Sequence, residues 1–276
     1  MNHQDGFFDG ARGKVYHQAW LPDGAPRAVL LIVHGYGEHS GRYMNVVNCF
    51  VPSGYAVYAL DHAGHGRSEG TRAYVDRFTD YTTLLQAYVN MVREWQPGIP
   101  LFLFGHSMGS LITARFLLDR PSGIAGVVLS GTATEVADGV SPVTILLGRI
   151  LSSLAPKAGL MALEADAICR DPAVVEAYVQ DPLVYTGKMT ARLGAECLKT
   201  QQRVTSEAST ITEPMLLVHG ADDRLTPLSG AQSLYGAIGS TDKTLKVYEG
   251  LYHEVCNEPE CDQVMGDIEA WLEAHL

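Results

Sequence analysis

A doubly wound α/β domain, with a mostly parallel central sheet and helices on both faces, is the fold class this sequence predicts, and three observations carry it. Six short apolar runs stand along the chain: Ala28–Val33, Tyr55–Leu60, Leu101–Phe104, Val127–Leu129, Met215–Val218 and Leu245–Tyr248. Most are continuous rather than alternating, as strands covered on both faces must be. Between them lie helical patterns, the clearest at Phe78, Tyr81, Leu84, Leu85, Tyr88, Val89, Val92 and Trp95, whose spacings of three and four give one apolar face. The third observation is that the two kinds of segment alternate.

Taken in order, the segment Lys14–Trp20 ahead of the Pro22-Asp23-Gly24 turn predicts an antiparallel start to the sheet. The rhythm of strand and helix then runs to about Thr132 and stops. From there to about Thr200 no strand is legible; apolar helical stretches sit among Pro142, Pro156, Pro172 and Pro182, and the strand pattern resumes at Met215. An insertion of that size between two strands of an open sheet reads as a helical cap over the strand ends, where such sheets place ligands. The expected organisation is a core in two parts, 1–131 and 201–276, with a cap at 132–200.

The chain has 276 residues, and Lys plus Arg at 20 against Asp plus Glu at 31 leave a net charge of −11. That excludes a basic nucleic-acid footprint and charge-driven docking on anionic membranes. With 46% hydrophobic and 18% charged residues the chain belongs among globular proteins. Met1–Gly10 resembles no secretory signal, so a cytoplasmic address is the default expectation. The longest apolar stretch, Val143–Leu163, is broken by Arg149, Pro156 and Lys157 and is too interrupted to span a bilayer. Cys49, Cys169, Cys197, Cys256 and Cys261 are widely spaced with no Cys-x-x-Cys pair, so buried free thiols are expected rather than a disulfide framework or zinc site.

The chemistry is carried first by Leu101-Phe-Leu-Phe-Gly-His-Ser-Met-Gly-Ser110, a strand running into Gly-x-Ser-x-Gly and then into the helix-like Leu111–Leu118. Ser107 on a tight strand-to-helix turn holds its hydroxyl out, while Gly105 and Gly109 remove side chains that would collide there. The N–H of Met108 then faces the oxygen of an attacked carbonyl. A serine hydroxyl is a weak nucleophile until a base takes its proton, so a histidine and an orienting carboxylate are required. Beyond the last long strands only His253 and His275 remain, and the penultimate residue His275 is expected to fray. His253, in Tyr248-Glu-Gly-Leu-Tyr-His253, is therefore the expected base. For the acid, Asp222 and Asp223 follow the strand Met215–Val218, and spacing does not choose between them. After the first buried strand, His34-Gly-Tyr-Gly-Glu-His-Ser-Gly-Arg-Tyr43 allows the N–H of Tyr36 to turn inward as a second oxyanion donor.

These stretches, together with Asp61-His-Ala-Gly-His-Gly-Arg-Ser-Glu-Gly70, Asp181-Pro-Leu-Val184 and His219-Gly-Ala-Asp-Asp-Arg224, closely resemble the monoacylglycerol lipases and their lysophospholipase relatives in the α/β-hydrolase superfamily. The resemblance covers nearly the whole chain in the family's order. It implies an α/β-hydrolase fold, Ser107 as nucleophile, His253 as base and Asp223, the residue before Arg224, as acid. It also implies a small lipid ester as substrate, a cap that accepts an acyl chain and makes transient contact with membranes or micelles, and Glu38 and Arg42 shaping the polar end of the pocket. No cofactor and no metal are expected. Two departures stand out: Cys256 where relatives of the mammalian enzyme have a second histidine, and Tyr36 where many have a small residue.

Other readings are weaker. Lysophospholipase or general carboxylesterase activity shares the same machinery. A haloalkane dehalogenase places aspartate at the nucleophile position, which here is Ser107. A prolyl iminopeptidase needs acidic cap residues for a substrate amine, with Glu164, Asp166 and Asp171 as candidates. A non-catalytic binding module has no use for a complete serine, acid and base. Gly64-His-Gly66 lacks the third glycine of a dinucleotide fingerprint, and Asp61, His62 and His65 read as a hydrogen-bonded turn rather than metal ligands.

Overall fold

A run in which every residue is apolar makes a stable strand only where both sheet faces are covered. The computed structural model, which describes residues 1–119, 121, 123–136 and 142–276, puts the first five runs in such places, while Leu245–Tyr248 lies at a sheet edge and is mostly half-buried. The chain opens with a hairpin of β1 (Asn2–Gly10) and β2 (Gly13–Leu21), antiparallel in register from Asn2 opposite Leu21 to Gly10 opposite Gly13. There follow β3 (Ala28–Val33), α1 (Met44–Phe50), β4 (Tyr55–Leu60), α2 (Thr79–Trp95), β5 (Leu101–His106), α3 (Met108–Leu117) and β6 (Gly126–Ser130). The segment after β6 carries α4 (Pro142–Leu154), α5 (Pro172–Gln180) and α6 (Ala191–Glu207), and the sheet resumes with β7 (Met215–Gly220), α7 (Leu228–Ala237), β8 (Lys243–Tyr248) and α8 (Cys261–Glu273).

The strands form one sheet in the order β1-β2-β4-β3-β5-β6-β7-β8. β2 joins β4 antiparallel, and from β4 to β8 every pairing is parallel. The fold is the α/β-hydrolase fold, with the antiparallel start at the place the Lys14–Trp20 segment predicts. Successive residues of β3 face opposite layers. Val29, Leu31 and Val33 pack in a core shared with α2, α3 and α7, while Leu30 and Ile32 pack with α1 and α8. The α2 face is buried as its periodicity predicts, except that Trp95 is 43% exposed at the helix end.

Between β6 and β7 the described residues hold helices and a single isolated bridge, Gly159 with Thr190. Residues 137–141 of the expected cap lie outside the described residues. The expected boundary at 200 falls inside α6, whose Leu193 and Val204 are fully buried in the core shared with α3. α4 packs mainly on α6, and its residues Val143, Leu146, Leu147, Ile150 and Leu154 are exposed. No described helix is long and apolar enough to cross a membrane. The cysteines are free; Cys169 and Cys256 are buried, while Cys49, Cys197 and Cys261 are only half-buried. His275 does not fray: it stacks on Trp271 at 4.1 Å and sits 3.0 Å from Asp242 Oδ2.

The closest backbone approach that positions the β5–α3 junction is at Gly109, where a Cβ would stand 1.8 Å from the Val33 carbonyl oxygen. Backbone cannot retreat as a flexible side chain can, so Gly109→Ala overpacks the junction at a cost of about 3 kcal/mol. Thermal unfolding checks this: the midpoint should fall by about 6 °C or more, and an unchanged midpoint contradicts it.

Candidate active site

At the β5–α3 junction Ser107 has φ +54° and ψ −123°, a left-handed conformation that costs a non-glycine residue about 1–3 kcal/mol. Its neighbours over-determine that turn. The Ser107 N–H donates to the Ser130 carbonyl at 2.9 Å, and the Ser107 carbonyl accepts from the Ser110 N–H at 2.9 Å and from Ser110 Oγ at 2.6 Å. Ser110 Oγ accepts in turn from the Ala133 N–H. Strand β6 and the chain just after it therefore hold the serine's backbone.

From the end of β8, the loop bearing His253 comes over the end of β6. Its ring lies so close to Gly131 that a Cβ there would stand 2.8 Å from His253 Cε1. Nδ1–H of His253 donates to Asp223 Oδ2 at 2.7 Å, and Nε2 is buried with no hydrogen bond among the described residues. The lone pair on Nε2 is open to a proton from a hydroxyl. The ring of His106, beside Ser107 in the chain, is 4.8 Å from that of His253. Burial, then the charge of His253, pushes His106 down to about 3, so it stays neutral beside that ring.

The Asp223 side chain is fully buried, and its neighbour Asp222 is exposed. Its Oδ1 accepts from the N–H groups of Leu225 and Thr226 at 2.8 and 2.9 Å, and its Oδ2 from Thr226 Oγ1 at 2.7 Å as well as from His253. His219 Nε2 is 3.3 Å from Oδ2, and its Nδ1 accepts from the Thr132 N–H, which fixes the tautomer with the proton on Nε2. Burial alone raises a carboxylate's pKa, but the charge of His253 and these donors outweigh it and hold Asp223 well below the usual range. For His253, burial alone would depress the imidazole. The charge and hydrogen bond of Asp223, then the charges of Glu254 and Glu38, reverse that and leave its pKa raised. Arg224 turns away to Asp166 rather than pairing with Asp222.

The loop after β3 meets Ser107 directly: a Cβ on Gly35 would stand 3.0 Å from Ser107 Cβ. Tyr36 therefore follows at the serine's side, and Met108 opens α3, whose first N–H groups have no intrahelical partner. Glu38 and Arg42 are not solvated. Glu38 Oε1 accepts from the Gly35 N–H at 2.6 Å and from Tyr43 Oη at 2.8 Å, and its Oε2 accepts from Arg42 at 2.9 Å. Arg42 gives its fork to Glu254 at 2.7 and 2.9 Å and lies 4.7 Å over the Tyr178 ring. Among these buried groups, burial leaves Glu38 raised while the Arg42 charge holds Glu254 lowered. Both residues thus belong to an ion network tying the first loop to the His253 loop.

Several supporting groups were not legible as such in the sequence. Glu254, Thr226, His219 and His106 adjoin the predicted residues in chain or space but carry no motif of their own. His34 accepts from the His62 N–H at 2.9 Å and donates from Nδ1 to the Gly35 carbonyl at 2.8 Å. Burial holds His34, His62 (about 3) and His65 (about 4) neutral beneath the loop. Asp61 takes the Ser40 and Arg67 N–H groups, a loop-fixing turn as expected, and no three-residue metal cluster occurs among the described residues. A cleft of about 660 Å³ opens between α5 and the loops bearing Arg224 and Tyr252, but neither Ser107 nor His253 lines it.

The family described as Serine aminopeptidase, S33, matches residues 24–260. Over 270 residues the chain is 41% identical to a monoacylglycerol lipase of Mycolicibacterium smegmatis, covering 98% of this chain and 96% of that protein. It is 34% identical to the human monoglyceride lipase, covering 94% and 86%. The crystal structure of a Paleococcus ferrophilus monoacylglycerol lipase superposes with a TM-score of 0.86 at 31% identity, covering 95% of this chain and 99% of that one.

Because the raised pKa of His253 rests on Asp223, replacing that carboxylate leaves burial unopposed. Proton NMR titration of the His253 ring should give a midpoint above the ordinary value of about 6.5 in the native protein. It should fall in Asp223→Asn and stay in place in Asp222→Asn; the reverse ranking would overturn the pairing.

Proposed function

The chain belongs to the Serine aminopeptidase, S33, family of the α/β-hydrolase superfamily and is a carboxylic ester hydrolase; we propose that it cleaves monoacylglycerols and related acyl esters through an acyl-enzyme on Ser107. The observation that carries this reading is the 2.7 Å bond from His253 Nδ1–H to the buried Asp223, which leaves Nε2, without a partner among the described residues, free to act as a base beside the strained serine turn.

In this mechanism Nε2 takes the Ser107 hydroxyl proton as Oγ attacks the ester carbonyl, and the imidazolium is stabilised by Asp223. The carbonyl electrons move onto oxygen, which accepts from the N–H groups of Tyr36 and Met108; one such donor supplies about 3 kcal/mol in the transition state. On collapse His253 returns the proton to the departing glycerol oxygen. Water then repeats the sequence on the acyl-enzyme, releasing the fatty acid and free Ser107. None of these steps calls for a cofactor or metal.

We read the helices between β6 and β7 as the cap of the site. The exposed residues Val143, Leu146, Leu147, Ile150 and Leu154 recur at helical spacing, so α4 presents a single apolar stripe suited to brief contact with a micelle or membrane. The aminopeptidase reading has less support. It needs carboxylates facing a substrate amine, whereas Asp171 caps α5 through the Ala173 N–H, Asp166 pairs with Arg224, and Glu164 is exposed.

Turnover of p-nitrophenyl esters and monoacylglycerols should drop about a million-fold in Ser107→Ala; substantial residual turnover, or faster cleavage of proline naphthylamide than of esters, would sink the reading. For the cap, Leu146→Glu with Ile150→Glu should slow hydrolysis of micellar monoacylglycerol several-fold and leave a soluble short-chain ester unaffected. Equal loss on both substrates would remove the lipid-contact role.

A further inference from the structure

The segment Asp181-Pro-Leu-Val184, which the serine, histidine and aspartate leave without a task, lies against the loop that carries Tyr36. Three contacts fasten it there. The Tyr185 N–H donates to the Gly37 carbonyl at 2.6 Å, and Tyr36 Oη donates to the Gly187 carbonyl at 3.3 Å. His39 Nε2 is 2.9 Å from Asp181 Oδ2, with the His39 side chain 9% exposed. His39 Nδ1 accepts from the Gly41 N–H, so the ring proton lies on Nε2 and is donated to Asp181.

The segment is itself shaped for this docking. Asp181 Oδ1 accepts from the Leu183 N–H at 2.8 Å and its carbonyl accepts from the Val184 N–H, a turn that brings Tyr185 down onto the loop. Val184 anchors the turn in a small cluster with Ile168, Cys169 and Tyr178. On the loop side Gly37 has φ +76°, and a Cβ there would stand 2.9 Å from the Tyr185 carbonyl oxygen. The glycine thus serves both the reversal of the loop and the approach of the segment. On the other flank Glu38 holds the Gly35 N–H. The residues on either side of Tyr36 are therefore both pinned, one by Glu38 and one by the segment between α5 and α6.

We infer that Asp181 and His39 are positioning residues for ester hydrolysis, docking residues 181–187 on the first loop so that the Tyr36 N–H stays aimed at the oxyanion. The inference rests on the reading that Tyr36 is an oxyanion donor. Neither side chain needs to touch substrate: each acts through the Gly37 carbonyl and the Tyr36 peptide. Asp181→Asn keeps an acceptor for the Leu183 N–H but sets an amide where Oδ2 accepted from His39, so it undoes the docking and preserves the turn.

Losing a donor outright costs about 100- to 1,000-fold in kcat, so a donor present but misaimed should cost about 10-fold. The experiment measures kcat and KM on p-nitrophenyl acetate, too short to engage the cap, and KI for a trifluoromethyl ketone, whose hemiketal oxyanion occupies the same hole. Expected for Asp181→Asn and for His39→Ala are a kcat lower by about 10-fold, a KM within about 2-fold, and a KI raised as much as kcat falls. The double variant should be no worse than either single, as for partners in one interaction. His39→Gln, which keeps a donor for Asp181, should retain near-native kcat and decides the matter on its own against His39→Ala if Asp181→Asn does not fold.

Unchanged kcat and KI in variants of an active enzyme overturn the docking role and leave the nucleophile assignment standing. A rise in KM alone, with KI for the ketone unchanged, also overturns it. Failure of the native enzyme to bind the ketone, together with ester turnover surviving Ser107→Ala, overturns the mechanism beneath it.

Discussion

A carboxylate sealed from water is the constraint on which the site depends. Asp223 has no exposed side-chain surface, and an ionised group in such a place persists only where donors replace its hydration. The turn Asp223–Thr226 supplies three of them from its own backbone and hydroxyl, and two histidines approach from β7 and the loop after β8. The consequence is directional. With its other lone pairs engaged, Oδ2 takes Nδ1–H of His253, and the second ring nitrogen is left without a partner among the described residues, as the proposed base requires. The same burial that makes the charge costly makes its attraction for an imidazolium strong.

A second buried charge arrangement joins the loop bearing His253 to the loop after β3. One guanidinium, Arg42, is shared by two carboxylates, Glu38 and Glu254, the first bonded to the Gly35 N–H and the second adjacent in chain to His253. One cation between two anions leaves an excess negative charge close to His253, and that excess acts with Asp223 to favour the protonated ring. The three neutral histidines His34, His62 and His65 beneath the loop work differently. Burial strips them of charge, so they shape the loop by hydrogen bonds without opposing the imidazolium of the proposed mechanism.

What could be read from the sequence was what a single segment can express. Continuous apolar runs mark β3 to β7 because burial on both faces admits little else, and Gly-x-Ser-x-Gly marks the turn because its geometry demands small neighbours. β1 carries no such mark: Asn2–Gly10 is mostly exposed at a sheet edge, where no apolar alternation is required. The choice between Asp222 and Asp223 was equally closed to local inspection, since it depends on which side chain points at a ring thirty residues away. Glu38 and Arg42 read as pocket residues by resemblance, yet their partner Glu254 lies more than two hundred residues downstream, and only the fold brings the three together. The docking of Asp181 on His39 belongs to the same class: each residue is ordinary in its own segment, and the meaning lies in the pair.

The net charge of −11 and the apolar stripe on α4 can be reconciled through the charge states of an ester and its products. A monoacylglycerol is neutral, so an aggregate of it sets no electrostatic barrier against an acidic protein. On the proposed lipid contact of α4, burying one or two of its exposed side chains supplies about 1.5–3 kcal/mol each, enough for weak and reversible contact. Hydrolysis turns the neutral acyl chain into a carboxylate. As that anion accumulates in the aggregate, the surface charge turns against the same acidic protein, while the stripe's apolar attraction stays as it was. An enzyme that approaches by burial and is repelled by its product tends to leave the surface it has converted and to favour fresh substrate. A basic enzyme with the same stripe would be held increasingly tightly by its own product.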